Sequence, residues 1–445
     1  MLKKLKTDDL DKSLKEFYDS VAKSRRIDNS FALKDDKDLT KEEIAEIDAF
    51  WGRYKFAYPE IDYNSFKTFK NRCGYFDVRH CPGAIRTHYF NKHFSNPYYH
   101  TSWQNKGLLP LLFPNVEKPV TVLRRMAGVY YDENYNPISI RESINLLLEK
   151  ARSGKKLIVK PSNVGGGRGI FFIEKEDTYE SIKDAINTVG INAFVVQEFI
   201  EQSEFMKQFN PTSVNTIRVT SMIHRGEVHV LAALVRIGKT GNQVDNYSQG
   251  GSILGIDIKS GKCNRWALTH DNEKITELPT GLNLDVEDLI IPNFEVVKKT
   301  VERMHYYIPY IKLISWDIAM NKDNTPMLIE NNFAGMIQIH EAVTGPLFGD
   351  FMKDLLDTYL LDKFSVSFNT SEWECEEYHD HIEISSYIGS SKIANVPEMI
   401  KGKPVTKVRN GAFANKGTIF EIVIPSKIAK KSNITSQNVM KIKEI

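Results

Sequence analysis

Lys160-Pro161-Ser162-Asn163-Val164-Gly165-Gly166-Gly167-Arg168-Gly169 lies between two short apolar runs, Lys156–Pro161 and Gly169–Ile173. Each run is short, apolar and bounded by turn residues, and so predicts a buried strand. Successive glycines let backbone N–H groups turn toward one point and line a concavity for an anion. Lys160, at the end of the first strand, adds a fixed positive charge beside it. No Gly-Lys-Ser/Thr opens a helix here, so this is a strand–loop–strand device and not a P-loop.

The same alternation of elements extends outward from that loop. Residues 178–188 suit a helix, and Ala193–Glu198 reads as a third strand that includes Gln197 and Glu198. Val214–His224 and Glu227–Ile237 predict a hairpin turning at Arg225-Gly226. Asp285–His305 has helical apolar spacing that Pro292 can interrupt. Ile311–Met320 and Met327–Asn331 predict paired strands around the turn Lys322-Asp323-Asn324. Helices mixed with antiparallel pairs define an α+β domain.

The last of these strand pairs carries the metal chemistry. Alternate residues of a strand share a face, so two adjacent strands place Asp317, Glu330 and Asn332 on one side. Two carboxylates and a carboxamide are hard oxygen donors suited to Mg²⁺, which shares its coordination sphere with phosphates.

Taken in order, the glycine loop, the Val195–Ile200 strand end and the Asp317/Glu330/Asn332 set resemble the ATP-grasp superfamily. The resemblance implies that Lys160, Gly165, Gly166, Gly167, Arg168 and Gly169 hold the phosphates of ATP. It implies backbone contacts to adenine from Gln197, Glu198 and Ile200, a ribose contact from Glu204, and Mg²⁺ on Asp317, Glu330 and Asn332. Ser213–Thr220, Val244–Gly251 and Gly255–Asp257 resemble the sugar-transfer-associated and teichuronopeptide-type branch, linked to building and decorating cell-surface polysaccharides. That likeness implies that Arg218 faces the phosphates or an acyl-phosphate, and that Asn246 belongs to a loop closing over the acceptor near Arg236 and Lys239. Many members carry a second phosphate-binding Lys upstream; here Arg124 and Arg125 stand in that stretch.

The rest of the chain fits around this domain. Lys plus Arg (59) nearly balances Asp plus Glu (57), so no global field favours nucleic acid. The basic start, Met1–Lys6, leads into charged residues and not an apolar segment, and four scattered cysteines suggest reduced thiols; a cytoplasmic location and no integral membrane segment are expected. Residues 8–52 predict amphipathic helices, and 51–102 are dense in aromatics read as core. Beyond a polar linker at 363–375, Ile384–Val408 and Gly411–Pro425 resemble surface-antigen leucine-rich repeats, implying a capping role or a protein partner. Cys375, His379 and His381 lack a fourth zinc ligand; Cys73, His80 and Cys81 lack metal spacing and are read as core packing. The expected organisation is a helical, aromatic-rich region (1–119), an ATP-grasp domain (120–362), the linker, and a β-rich segment (376–445). The expected activity is a Mg-ATP-dependent carboxylate–amine ligase acting on small-molecule or glycan-precursor substrates. A phosphotransferase on a sugar or alcohol hydroxyl and a non-catalytic ATP-binding scaffold are the alternatives.

Overall fold

A computed structural model describes residue 19 and residues 30–445 apart from 55–60, 163–167, 189–192, 242–246, 287, 334–336, 361–365, 415 and 435–438. Gly165, Gly166, Gly167 and Asn246 lie outside the described residues, as do residues 8–18 and 20–29 of the stretch 8–52 expected to form amphipathic helices. What remains of that stretch includes helix α1 (Lys41–Trp51). The chain divides into two compact units, Met1–Phe50 with Asp62–Gly349, and Trp51–Ile61 with Asp350–Ile445.

The first unit contains two antiparallel sheets. The smaller is formed by β1 (Thr121–Met126), β2 (Val129–Tyr131), β3 (Pro137–Ile138), β4 (Leu157–Pro161), β5 (Phe171–Ile173) and β6 (Phe194–Glu198), in the order β3-β2-β1-β6-β4-β5. One face packs Leu123, Val159, Phe194 and Val196 against helices α3 (Ile140–Arg152) and α4 (Tyr179–Thr188). Helix α3 begins at a complete capping box: Ser139 accepts from the Glu142 N–H while Glu142 accepts from the Ser139 N–H. Ser139→Ala is expected to cost about 1 kcal/mol, seen as a lower urea midpoint with unchanged slope. An unchanged midpoint would show that tertiary packing alone sets this end of α3.

The larger sheet is formed by β7 (Thr216–His224), β8 (Glu227–Ile237), β9 (Ser252–Ile256), β10 (Ala267–Thr269), β11 (Lys274–Ile275), β12 (Leu313–Met320) and β13 (Pro326–Asn332). Its order is β11-β10-β9-β8-β7-β12-β13. Strand alternation gives it two different faces. Ile217, Val219, Ala233, Val235, Trp316 and Ile318 enter the main core with Val297, Val301 and Met304 of helix α5 (Phe294–Tyr307). On the opposite face, Leu234 and Ile253 pack under Phe69 of helix α2 (Tyr63–Cys73) and under Ile339, Ala342 and Val343 of helix α6 (Ile337–Thr344). Also pointing to that face, beside this apolar patch, are the polar Arg218, Thr220, Arg236, Ser315 and Asp317.

Two expectations shift. The helix read from Asp285 starts only at Phe294, because Pro292 precedes Asn293, which takes a left-handed φ of 55° at the cap. The stretch read as a linker holds strands β14 (Val366–Asn369) and β15 (Trp373–Glu377). Within β15, Trp373 and Cys375 are buried, an alternation too short to stand out in a polar sequence.

The second unit continues with β16 (Ile382–Tyr387), β17 (Ile393–Asn395), β18 (Met399–Ile400), β19 (Lys403–Val408), β20 (Glu421–Ile424) and β21 (Ile442–Glu444). These form a five-stranded sheet, β14-β15-β16-β19-β18, and a parallel three-stranded sheet, β17-β20-β21. Trp373, Ile384, Val408, Phe413 and Ile422 are central in its core. No helix among the described residues is long and apolar enough to cross a membrane.

Candidate active site

The polar face of the larger sheet is organised by one ion cluster. Arg218 on β7 lies directly opposite Asp317 on β12. Its Nε donates to Asp317 Oδ1 at 2.7 Å and its Nη2 to Oδ2 at 2.8 Å, a bidentate fork. Arg236 on β8 adds a third bond, Nη1 to Asp317 Oδ2, at 2.8 Å. Asp317 is 1% exposed. Burial opposes its charge, yet the two guanidinium groups hold its carboxyl well below the usual carboxylate range.

Glu330 joins the cluster because of a backbone irregularity. Met320 pairs with Pro326 and Ile318 with Leu328, but Asp317 pairs with Glu330, so Ile329 is an extra residue. In an unbroken ladder Asp317 would face Ile329, and Glu330 would point to the opposite side. The bulge re-aims Glu330 onto the face of Asp317. Asn332 follows on that face, its Nδ2 lying 3.2 Å from Asp317 Oδ2 and 3.4 Å from Glu330 Oε1. Lys106 pairs with Glu330 Oε2 at 2.9 Å. The sequence reading missed Lys106, which comes from a loop with no motif of its own.

Thr220, two residues beyond Arg218, links the cluster to helix α6. Its Oγ1 lies 2.8 Å from Ser315 Oγ and 2.9 Å from His340 Nε2. Burial, with the charge of Arg218 second, pushes the His340 pKa down to about 3, so this ring is a neutral partner.

On the smaller sheet, Lys160 and Arg124 are cross-strand neighbours through Val195 and so share a face. Lys160 Nζ donates to Gln197 Oε1 at 3.2 Å, and Gln197 Nε2 donates to Thr121 Oγ1 at 3.2 Å. Gln197 is therefore a side-chain support for Lys160, beyond the backbone role read from the sequence. Arg124 is 2% exposed. Its Nη1 donates to the carbonyls of Asp132 and Glu133, its guanidinium lies over the Tyr135 ring, and its Nε has no partner. No carboxylate pairs with it among the described residues. Arg125, on the alternate face, lies over Tyr130.

Where β6 ends, a cavity of about 240 Å³ is lined by Lys156, Phe199, Ile200, Gln202, Lys207 and Thr212 among others. Lys156 sits over the rings of Phe172 and Phe199 at 4.6 and 5.4 Å. Such a volume suits one flat ring system and not a whole nucleotide. Ile200 lines this cavity. Glu198 does not: its N–H donates to Val120 and its carboxylate pairs with Lys155 at 2.9 Å. Glu204 is directed to solvent, paired with Lys207 at 2.6 Å, so only its partner reaches the cavity. Arg168 is exposed and Gly169 has a φ of 72°.

The charge balance bears on the metal. Asp317, Glu330 and Asn332 converge, and the amide of Asn332 can turn its oxygen to the same point. Around them stand Arg218, Arg236 and Lys106, three cations against two carboxylates. Among the described residues, no group of three or more His, Cys, Asp and Glu side chains is placed to hold a metal ion. The donor set therefore fits Mg²⁺ only together with an anionic group such as a polyphosphate.

Solved structures with partial likeness include D-alanyl-alanine synthetase A from Vibrio cholerae O1 biovar eltor, 14% identical with a TM-score of 0.39 over 59% of this chain and 66% of that one. The L-amino acid ligase from Bacillus licheniformis is 13% identical with a TM-score of 0.29, over 52% and 40% of the two chains. The ATP-grasp ligase PsnB, solved with a minimal precursor, is 15% identical with a TM-score of 0.33, over 71% and 74%. The chain spans less than two thirds of the length of the first two. With every score below 0.5, the assignment rests on the family model. No curated protein sequence matches the chain significantly. The family model for sugar-transfer-associated ATP-grasp proteins matches residues 105–348, more than half of the chain, from the Lys106 loop to just beyond α6, and the protein is a member of that ATP-grasp family.

Proposed function

We propose that the protein is a Mg-ATP-dependent carboxylate–amine ligase that works through an acyl-phosphate, in the synthesis or decoration of a cell-surface polysaccharide in the cytoplasm. The observation that carries this reading is the convergence of Asp317, Glu330 and Asn332 within a ring of Arg218, Arg236 and Lys106. The excess positive charge of that site favours a polyanion, and ATP with its metal supplies one.

In this reading the cavity at Ile200 takes the adenine, while Lys160, supported by Gln197, and Arg124 attract the phosphates. The unpaired Nε of buried Arg124 supports its role as the upstream cation. Glu330 and Asn332 hold Mg²⁺, with Asp317 beside them. The metal supplies charge neutralisation at the phosphates. A substrate carboxylate attacks the γ-phosphorus and ADP leaves; an amine then attacks the acyl carbon and phosphate leaves. Arg218 and Arg236 hold the acyl-phosphate oxygens; Asn246, expected from the sequence at the acceptor, lies outside the described residues. The protein contributes positioning and preorganised charge. The parallel strands of the second unit are read as a repeat-like surface for a protein partner.

Thermal unfolding with a non-hydrolysable ATP analogue tests the site. At about 100 times Kd, linkage gives about 2.7 kcal/mol of stabilisation, a rise of about 5–10 °C for a domain of this size. Analogue and Mg²⁺ together are expected to give the full rise, and Mg²⁺ alone none, because the cluster carries excess positive charge. No rise at millimolar nucleotide would overturn the reading. Products then separate the chemistry: an amide with free phosphate marks a ligase, and a phosphoester without it marks a phosphotransferase.

A further inference from the structure

Three side chains away from the nucleotide site meet where helix α2 ends. Cys73 is the last residue of α2, and its Sγ lies 3.8 Å from His80 Nε2. His80 Nδ1 lies 2.9 Å from Glu341 Oε2, with both side chains buried. Glu341 also accepts from the N–H groups of Cys81 and Leu347, at 3.1 and 3.2 Å. Phe69 stacks on the His80 ring at 5.4 Å. The imidazole is thus fixed in plane and direction, with its second nitrogen turned to the thiol.

Two cationic groups stand near the sulfur. Burial opposes charge on His80, but hydrogen bonds to Cys73 and Glu341 and the charge of Glu341 push its pKa up to about 9. At neutral pH the ring is an imidazolium facing the sulfur. The Lys274 ammonium is close by, 3.6 Å from where a Cβ on Gly74 would stand. Of the four cysteines, Cys81, Cys263 and Cys375 are buried and Cys73 is partly exposed. In its thiol form Cys73 donates to the Tyr75 carbonyl at 3.1 Å; the thiolate loses that bond and gains the imidazolium. Anchoring backbone N–H groups accounts for Glu341, but leaves the direction of the imidazole toward the accessible sulfur unused. Partial exposure beside a histidine ring is the environment of a reactive cysteine. A nucleophile, a base and an orienting third group within reach of one another is the arrangement of acyl-transfer sites.

We propose that Cys73 is the nucleophile of a second site, with His80 as its proton partner and Glu341 as the orienting carboxylate, and that it takes an acyl group from an acyl-phosphate. The Cys73 thiolate attacks the carbonyl carbon and a C–S bond forms. The C–O bond to phosphate breaks with its electron pair, and the His80 Nε2 proton passes to the departing phosphate oxygen. The products are a Cys73 thioester and inorganic phosphate. The inference is independent of the nucleotide-site reading, because the donor can be supplied ready-made.

The test incubates the full-length chain with acetyl phosphate, without nucleotide, following phosphate release and the mass of the Cys73 peptide. Cys73 is expected to acetylate about 10²-fold faster than a free thiol of ordinary pKa, giving an adduct that hydroxylamine removes. Cys73→Ser should give no thioester, and His80→Asn should bring the rate close to that of the free thiol. Because His80→Asn breaks a buried pair and can unfold the chain, the wild-type rate at Cys73, set against that of a cysteine in a short free peptide, is the second measurement. The titratable and charged groups acting around Cys73 are His80, Lys274, Arg72 and Tyr75, with Asp36, Asp77, Arg79 and Glu341 behind them. A rate equal to the free thiol, or acetylation of another cysteine in place of Cys73, would overturn the proposal.

Discussion

Asp317→Ala is expected to destabilise the first unit by about 3–5 kcal/mol, because it leaves two guanidinium groups facing each other in a buried site without their counter-ion. Arg218 and Arg236 are 10% and 11% exposed in their side chains, and both point at Asp317. Water cannot replace the carboxylate fully in that space. Asp317→Asn keeps the shape and one acceptor oxygen, and should cost less than the alanine but more than a surface change. The pH dependence has a definite sign. The folded-state pKa of Asp317 is depressed, so its contribution is present above the unfolded value of about 3.9 and is lost as pH falls below it. Wild-type stability should therefore fall on acidification through that range, and the Asn variant should have a flatter curve there. Urea denaturation at several pH values reads both effects. A cost below about 1 kcal/mol for Asp317→Ala would match a solvent-screened pair and contradict the buried geometry.

Much of the larger sheet was legible because its signals are local. The alternation in Thr216–His224 and Glu227–Ile237, broken at Arg225-Gly226, names both strands and their hairpin; Arg225 and Gly226 take the positive φ values that turn needs. The Ser139-to-Glu142 capping box was equally local, a serine followed three residues later by glutamate, and could have located α3 from the sequence. Other features were not local. The Lys106–Glu330 pair joins residues far apart in the chain, and neither neighbourhood marks it. The same holds for His80 and Glu341, which are unremarkable until α6 is laid against α2. The bulge at Ile329 lies between these cases. Alternation correctly joins Glu330 to Asn332, but whether that pair shares a face with Asp317 depends on one extra residue, which no propensity reveals. The end of β6 shows the same division between local and non-local signals. Strand β6 was readable as a strand, whereas the direction of Glu204, paired with Lys207 toward solvent, depends on a short turn.

That bulge makes Glu330 the most informative position for chemistry. Glu330→Gln is expected to lower the rate of ADP formation by about 10³-fold, about 4 kcal/mol of transition-state stabilisation. The effect should be catalytic and not structural. The Glu330 side chain is 21% exposed and its partner Lys106 12% exposed, so water can take over part of the lost interaction, and glutamine still accepts from Lys106. A partly exposed pair contributes about 1 kcal/mol or less to folding, so the melting temperature should fall by only a few degrees. Removing one negative charge also leaves the cations around the site in larger excess. The variant should then need a higher Mg²⁺ concentration for half-maximal rate, while analogue binding without metal is kept or strengthened. Lys106→Met separates the two roles of the pair. If Glu330 acts only by holding Lys106, the lysine variant will reproduce the whole loss with an unchanged Mg²⁺ requirement. If Glu330 holds the metal, Lys106→Met will lose less and the Mg²⁺ requirement will shift only in Glu330→Gln. An unchanged rate of ADP formation in Glu330→Gln would remove the metal site from this face and leave the cluster as a structural ion network.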